Sequence, residues 1–138
     1  MKHHDHLFEK WNDWVQFIEK DVINLLASQH IFWEVQKIIK ANPKIHLASS
    51  FYEWMGPVYA VFQSIGLRRQ VDPRKNTISF RRLLEEIARR PDIISRERYI
   101  ALYDPVDRRH VADMAFDKFA GAGKPHINPG MVRKDCKQ

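Results

Sequence analysis

Two clusters in this chain combine residue types and spacings that chemistry can use. Arg68, Arg69 and Asp72 lie together at the end of an apolar stretch. A basic pair at a helix end can grip phosphate while a carboxylate orients one guanidinium. The same i,i+3 and i,i+4 spacing permits a local Arg–Asp bridge that only fixes a turn, and Asp72 is expected to serve as that structural partner. Arg108-Arg109-His110, with Asp107 and Asp113, form the second cluster. RNA cleavage needs a base near the 2′-hydroxyl and a cation near the scissile phosphate, so Arg109 and His110 are the catalytic candidates. A charged solvent face would carry the same residues, and it is the plainer account.

Other groups weigh less. His3, His4 and His6 could bind a metal opportunistically, but residues 1–6 are expected to form a flexible tail. His30, beside Phe32 and Trp33, is expected to be a satisfied, partly buried histidine. The tryptophans could stack bases, yet at helical spacing they are expected in the core. Gly121-Ala122-Gly123-Lys124 is not a phosphate loop, because no strand precedes it and no Gly-Lys-Ser/Thr follows. The single cysteine, Cys136, excludes an internal disulfide framework and a multi-cysteine zinc site. No cofactor and no dedicated metal site are expected.

Charge is unevenly placed. The net charge is +6, and positions 68–98 hold ten basic and five acidic residues. This segment attracts polyanions, so Arg68, Arg69, Arg74 and Arg81 are the candidates for binding RNA phosphate or an acidic protein. A solvated face that keeps the chain soluble is the alternative. No signal peptide is evident, and the most apolar run, Trp54 to Leu67, is too short and broken to span a bilayer. A soluble, cytoplasmic protein with no membrane partner is expected.

The elements that must position these residues are helical throughout. Trp11, Trp14, Val15, Ile18, Val22, Leu25 and Leu26 recur at three- and four-residue steps, and the pattern continues through Ile39. One helix of about 33 residues, roughly 50 Å long, fits; a break near Ser28-Gln29-His30 is the alternative. A second helix starts near Pro43 or near Ser50, where Glu53 completes a capping-box pattern. Its heptad-like stripe is Phe51, Met55, Val58, Phe62 and Ile65, and Tyr52, Trp54, Tyr59 and Val61 widen it. A helix apolar over most of its circumference is central in a bundle or lies at a subunit interface. Gly56-Pro57 is expected to kink it.

Ser79 is the expected cap of a third helix ending at Arg90, with Ile78 and Leu83 as a hydrophobic staple. Glu85–Arg89 and Glu86–Arg90 are expected i,i+4 pairs. Ser95 caps a short helix to Tyr103. Another runs from Val106 to about Ala120, with Val111, Met114, Ala115 and Phe119 inward. Asn128-Pro129 opens a last helix. Two readings of the end stand: a continuation past Gln138, or a frayed natural terminus.

Together these give an all-α antiparallel bundle of about four to five helices, with a single domain over 7–120. Residues 121–138 are read as a loop and the start of a C-terminal helix.

The pattern Ile65-Gly66-Leu67-Arg68-Arg69-Gln70-Val71-Asp72, followed by Thr77-Ile78-Ser79-Phe80-Arg81-Arg82-Leu83-Leu84-Glu85-Glu86-Ile87, resembles the abortive-infection U-type branch of the HEPN superfamily. The similarity covers about positions 8–90. It implies a helical bundle that forms a homodimer, in a family of metal-independent ribonucleases of anti-phage and toxin–antitoxin systems. It also implies an arginine and a histidine separated by about four to six residues. No histidine in this chain has an arginine at that spacing before it. The expected protein is therefore HEPN-like without a recognisable catalytic motif, or else a non-catalytic RNA-binding or protein-interaction module, or a structural dimer.

Overall fold

A chain free of proline and glycine from Lys2 to Asn42 has nothing to stop a helix once it has started. The computed structural model, which describes residues 2–103 and 108–135, accordingly opens with one unbroken helix, α1 (Lys2–Ala41). It stops just ahead of Pro43, whose ring disfavours helical geometry in the preceding residue. The break considered near Ser28 does not occur. Residues 2–6, expected as a tail, are the first turns of α1, and the Asp5 carboxylate accepts from Arg98 at 2.6 Å.

α2 (Ser50–Gln70) is capped by Ser49, one residue earlier than the Ser50–Glu53 pattern suggested, and its Oγ accepts from the Tyr52 amide. It runs as one helix across Gly56-Pro57 and on through Arg68 and Arg69. α3 (Phe80–Arg89) has the expected cap. Ser79 is fully buried; its Oγ accepts from the Arg82 amide and donates to the Asp72 carbonyl at 2.6 Å. One side chain thus starts α3 and pins the incoming turn. A 3-10 turn follows at Pro91–Ile93, then α4 (Arg96–Ala101), α5 (Arg109–Ala120) and α6 (Pro129–Asp135). No strand occurs among the described residues; Ser95 and His126 form an isolated antiparallel bridge.

The chain folds into a head and an arm. The head core has two centres. Trp11 and Ile18 of α1 meet Leu83 and Ile93 in one. Phe116, Ala120 and Ile127 form the other. Ile87 and Ile94 border both, so the two are continuous. Residues 121–135 close this core and are not an appendage: Ile127 is buried, Val132 packs on the second centre, and α6 lies against α3.

In α5 the inward face is Ala112, Phe116 and Ala120, while Val111, Met114 and Phe119 are exposed. The sequence-based choice of Val111, Met114, Ala115 and Phe119 named none of the three inward residues. The structure instead buries two alanines, with Phe116 as the one large inward side chain of α5, and Tyr99 of α4 packs against the cluster that Phe116 and Ala120 form with Ile127.

The arm is α2 laid antiparallel on the middle and C-terminal part of α1. Asp21 meets Gln70, Leu25 meets Gly66, and Phe32 stacks on Tyr59 at 3.9 Å between ring centres, in opposite order along the two helices. A Cβ at position 66 would overlap the Leu25 side chain, so glycine here sets the helix separation. Of the two places open to so apolar a helix, the centre of a bundle within the chain is not the one α2 takes. α1 is its principal helical neighbour, and most of its large apolar residues face solvent.

Candidate functional site

The four cations singled out from sequence do not form one free patch. α2 continues past Arg68 and Arg69, so these side chains leave a helix that lies against α1. Arg69 reaches across to Asp21 at 2.7 Å, where that carboxylate also accepts from Gln70. Arg74 holds Asp72 through Nε and Nη2, at 2.9 and 2.5 Å. Arg81 pairs with Glu85 at 3.1 Å. Arg68 is exposed at the end of the arm. The expected bridge from Arg68 or Arg69 to Asp72 is therefore replaced. Asp72 lies beyond the helix end in the turn that holds Arg74, and that guanidinium's hydrogen bonds hold its pKa below the usual carboxylate value.

Arg109 and His110 sit in the exposed first turn of α5. Asp113, which the sequence placed beside them, instead accepts from Arg96 at 2.5 Å, as does Asp117. Arg96 thereby ties α4 to α5, and its hydrogen bonds hold Asp117 below its ordinary pKa. Asp107 lies outside the described residues. His4 approaches Asp92 at 3.7 Å, while His6 and His30 are exposed. Among the described residues, no three His, Cys, Asp or Glu side chains converge as a metal cluster would.

A charged node that the sequence did not reveal joins α1 to α3. Glu86 accepts from Lys10 at 2.8 Å, from the Trp11 indole at 3.0 Å and from Arg82 at 2.9 Å. Lys10 and Arg82 also lie against the Trp14 ring, where a cation meets the negative face of the π-system. Burial pushes the Glu86 pKa up, but hydrogen bonds from Lys10 and Trp11 and the neighbouring cations outweigh it, leaving the pKa lowered. Arg90, expected to pair with Glu86, turns to Asp92 at 3.0 Å. Sequence spacing finds i,i+4 pairs but not a partner 76 positions away.

The feature with the greatest extent is apolar. Trp11 and Trp14 belong to the head core as expected, but Trp33 and Trp54 stand on the arm, Trp54 at 59% exposure. Two grooves flank the arm. One, of about 710 Å³, lies where α1 and α2 meet α3, between Val22, Leu26, Leu67 and Phe80. The other, of about 600 Å³, runs between Ile31 and Val35 of α1 and Trp54, Val58 and Phe62 of α2. Gln63 and Gln70 are spent on internal ties, donating to the Leu25 carbonyl and to Asp21. The sequence did carry a signal: Glu53 is the one charged residue between Ser50 and Leu67.

No helix among the described residues is long and apolar enough to cross a membrane. The chain matches no protein-family model, no curated protein and no solved structure.

Proposed function

We propose that this protein is a helical docking module, which acts by binding a protein partner along its α1–α2 arm and not by chemistry of its own. One observation carries this: an apolar surface that spans the exposed length of α2 and its flank on α1. Soluble monomers rarely leave contiguous apolar patches beyond about 300–600 Å² uncovered, and larger ones mark interaction sites. A two-helix ribbon also lacks the second layer that a helical core needs.

RNA binding through positions 68–98 has less support. Arg69, Arg74 and Arg81 each already have a carboxylate partner, so phosphate would have to displace it. The HEPN-like, abortive-infection reading rests on the Ile65–Asp72 and Thr77–Ile87 sequence patterns alone, and it adds no residue to this proposal.

The test is Trp54→Ser combined with Phe62→Ser. If these side chains serve docking, the double variant keeps its helical circular dichroism and cooperative unfolding, and it binds less hydrophobic dye at high dilution. Collapse of the fold in the double variant, as a core substitution would cause, would show that the two residues are internal and overturn the proposal.

A further inference from the structure

Building on the docking role of the arm, the geometry points to a second copy of this chain as the partner, seated through the Trp54 face so that two arms form an antiparallel four-helix bundle. Phe51, Trp54, Val58, Val61, Phe62 and Ile65 are all exposed and fall within an arc of about 100° on the helix, turned roughly a third of a turn from the side that meets α1. Phe51, Val58 and Ile65 repeat every seven residues, with Phe62 between them. This is the spacing of a helix-pairing seam, and among the described residues no helix covers it: all six side chains are exposed.

The spacing is also nearly symmetric about Val58. An antiparallel copy related by a twofold axis at that level would place Phe51 opposite Ile65 and Trp54 opposite Phe62. A twofold interface requires this self-complementarity of one patch. Glu53, the one charge in this stretch, falls outside the arc, so the two α2 helices bring no like charges together across the axis.

The area suits a dimer. A half-exposed aromatic leaves roughly 100 Å² uncovered. With Ile31 and Ile38 of α1, which are also exposed, the face offers on the order of 800 Å² per copy, the share one partner gives a standard interface.

The test uses Val58→Cys in a Cys136→Ser background, which leaves a single thiol at the proposed axis. Sedimentation gives the mass, and maleimide labelling reads whether position 58 is covered. The expected result is a species of twice the 16.4 kDa chain mass. Its thiol should label at least about tenfold more slowly at micromolar than at nanomolar concentration, as mass action predicts. Adding Phe62→Lys should restore fast labelling and the single-chain mass with helicity kept.

A monomer that labels fast overturns the second-copy proposal and leaves docking to a different protein standing. A monomer that labels slowly overturns both, because the face is then internal. A dimer that labels fast at every concentration places the dimer contact elsewhere and overturns the proposal.

Discussion

The head and the arm draw on similar helical sequences but close their surfaces in opposite ways. In the head, short helices cross and return, so Trp11, Leu83, Ile93 and Phe116 are covered from the same chain, even though Val111, Met114 and Phe119 on the outer side of α5 stay exposed. Polar side chains then lock the crossings: Glu86 holds α1 to α3, Arg96 holds α4 to α5, and Ser79 fixes the turn into α3. In the arm, two long helices meet along one line only. Their contact is made by small or flat groups, Gly66 against Leu25 and Phe32 on Tyr59, and the larger apolar side chains point outward. Apolar content therefore does not by itself say what is core. The number of helices available to cover a face decides it.

The largest contrast should come from removing one phenylalanine in each region. Phe116 is 1% exposed; Phe116→Ala should cost about 3–5 kcal/mol, the usual range for a buried aromatic. Phe62→Ala should change the stability of the isolated chain by less than about 1 kcal/mol, as for surface sites away from special features. Urea unfolding at high dilution measures both. Equal losses would erase the distinction between head and arm.

Next comes the Glu86 node. Glu86→Gln removes the charge that Lys10 and Arg82 share, and should destabilise by roughly 2 kcal/mol, in the range for a partly buried charged hydrogen bond. The folded Glu86 pKa lies below its ordinary value of 4.5. The stability it contributes is thus present above the unfolded pKa and is lost as pH falls through the folded pKa. Wild type should lose stability below about pH 4.5 more steeply than Glu86→Gln. Parallel pH profiles would show that the node does not contribute this term.

A smaller effect is expected at Gly66. Alanine there gains helix propensity of about 1 kcal/mol but must push the buried Leu25 side chain away, an overpacking cost of roughly 1–3 kcal/mol. The net should be a loss of about 1 kcal/mol, largely recovered when Gly66→Ala is combined with Leu25→Val. Additive losses in the double variant would mean that the two sites do not touch.

The sequence disclosed the helices better than their faces. Pro43, Ser79, Pro91, Ser95 and Asn128-Pro129 act within one turn of themselves, so capping rules located the α3, α4 and α6 starts and the end of α1. The α5 face was missed because apolar residues stand in adjacent pairs, Val111-Ala112, Ala115-Phe116 and Phe119-Ala120, and periodicity does not say which member of each pair turns inward. The Lys10 partner of Glu86 and the partners of Arg69 and Arg96 were hidden because they lie on other helices, and tertiary geometry alone brings them into reach. Arg82, by contrast, lies four residues before Glu86 on α3 and was within reach of the spacing rule. The uncharged run of α2 was legible, but its exposure was not. The same run suits a bundle centre or an interface, and only the placement of the other helices separates the two.

The smallest effect should come from the cations that the sequence made most prominent. Arg81→Gln breaks an exposed i,i+4 pair with Glu85, and such pairs contribute about 0.3–0.5 kcal/mol, so the unfolding midpoint should hardly move. Because Arg69, Arg74 and Arg81 are each engaged with a carboxylate, reversing the charge at these positions and at Arg68 should leave RNA retention near zero, at low salt as at high. Retention that falls steeply with salt in wild type, and vanishes in the charge-reversed variant, would mean that phosphate does displace the local partners. Function would then move from the apolar arm to the charged segment at its base.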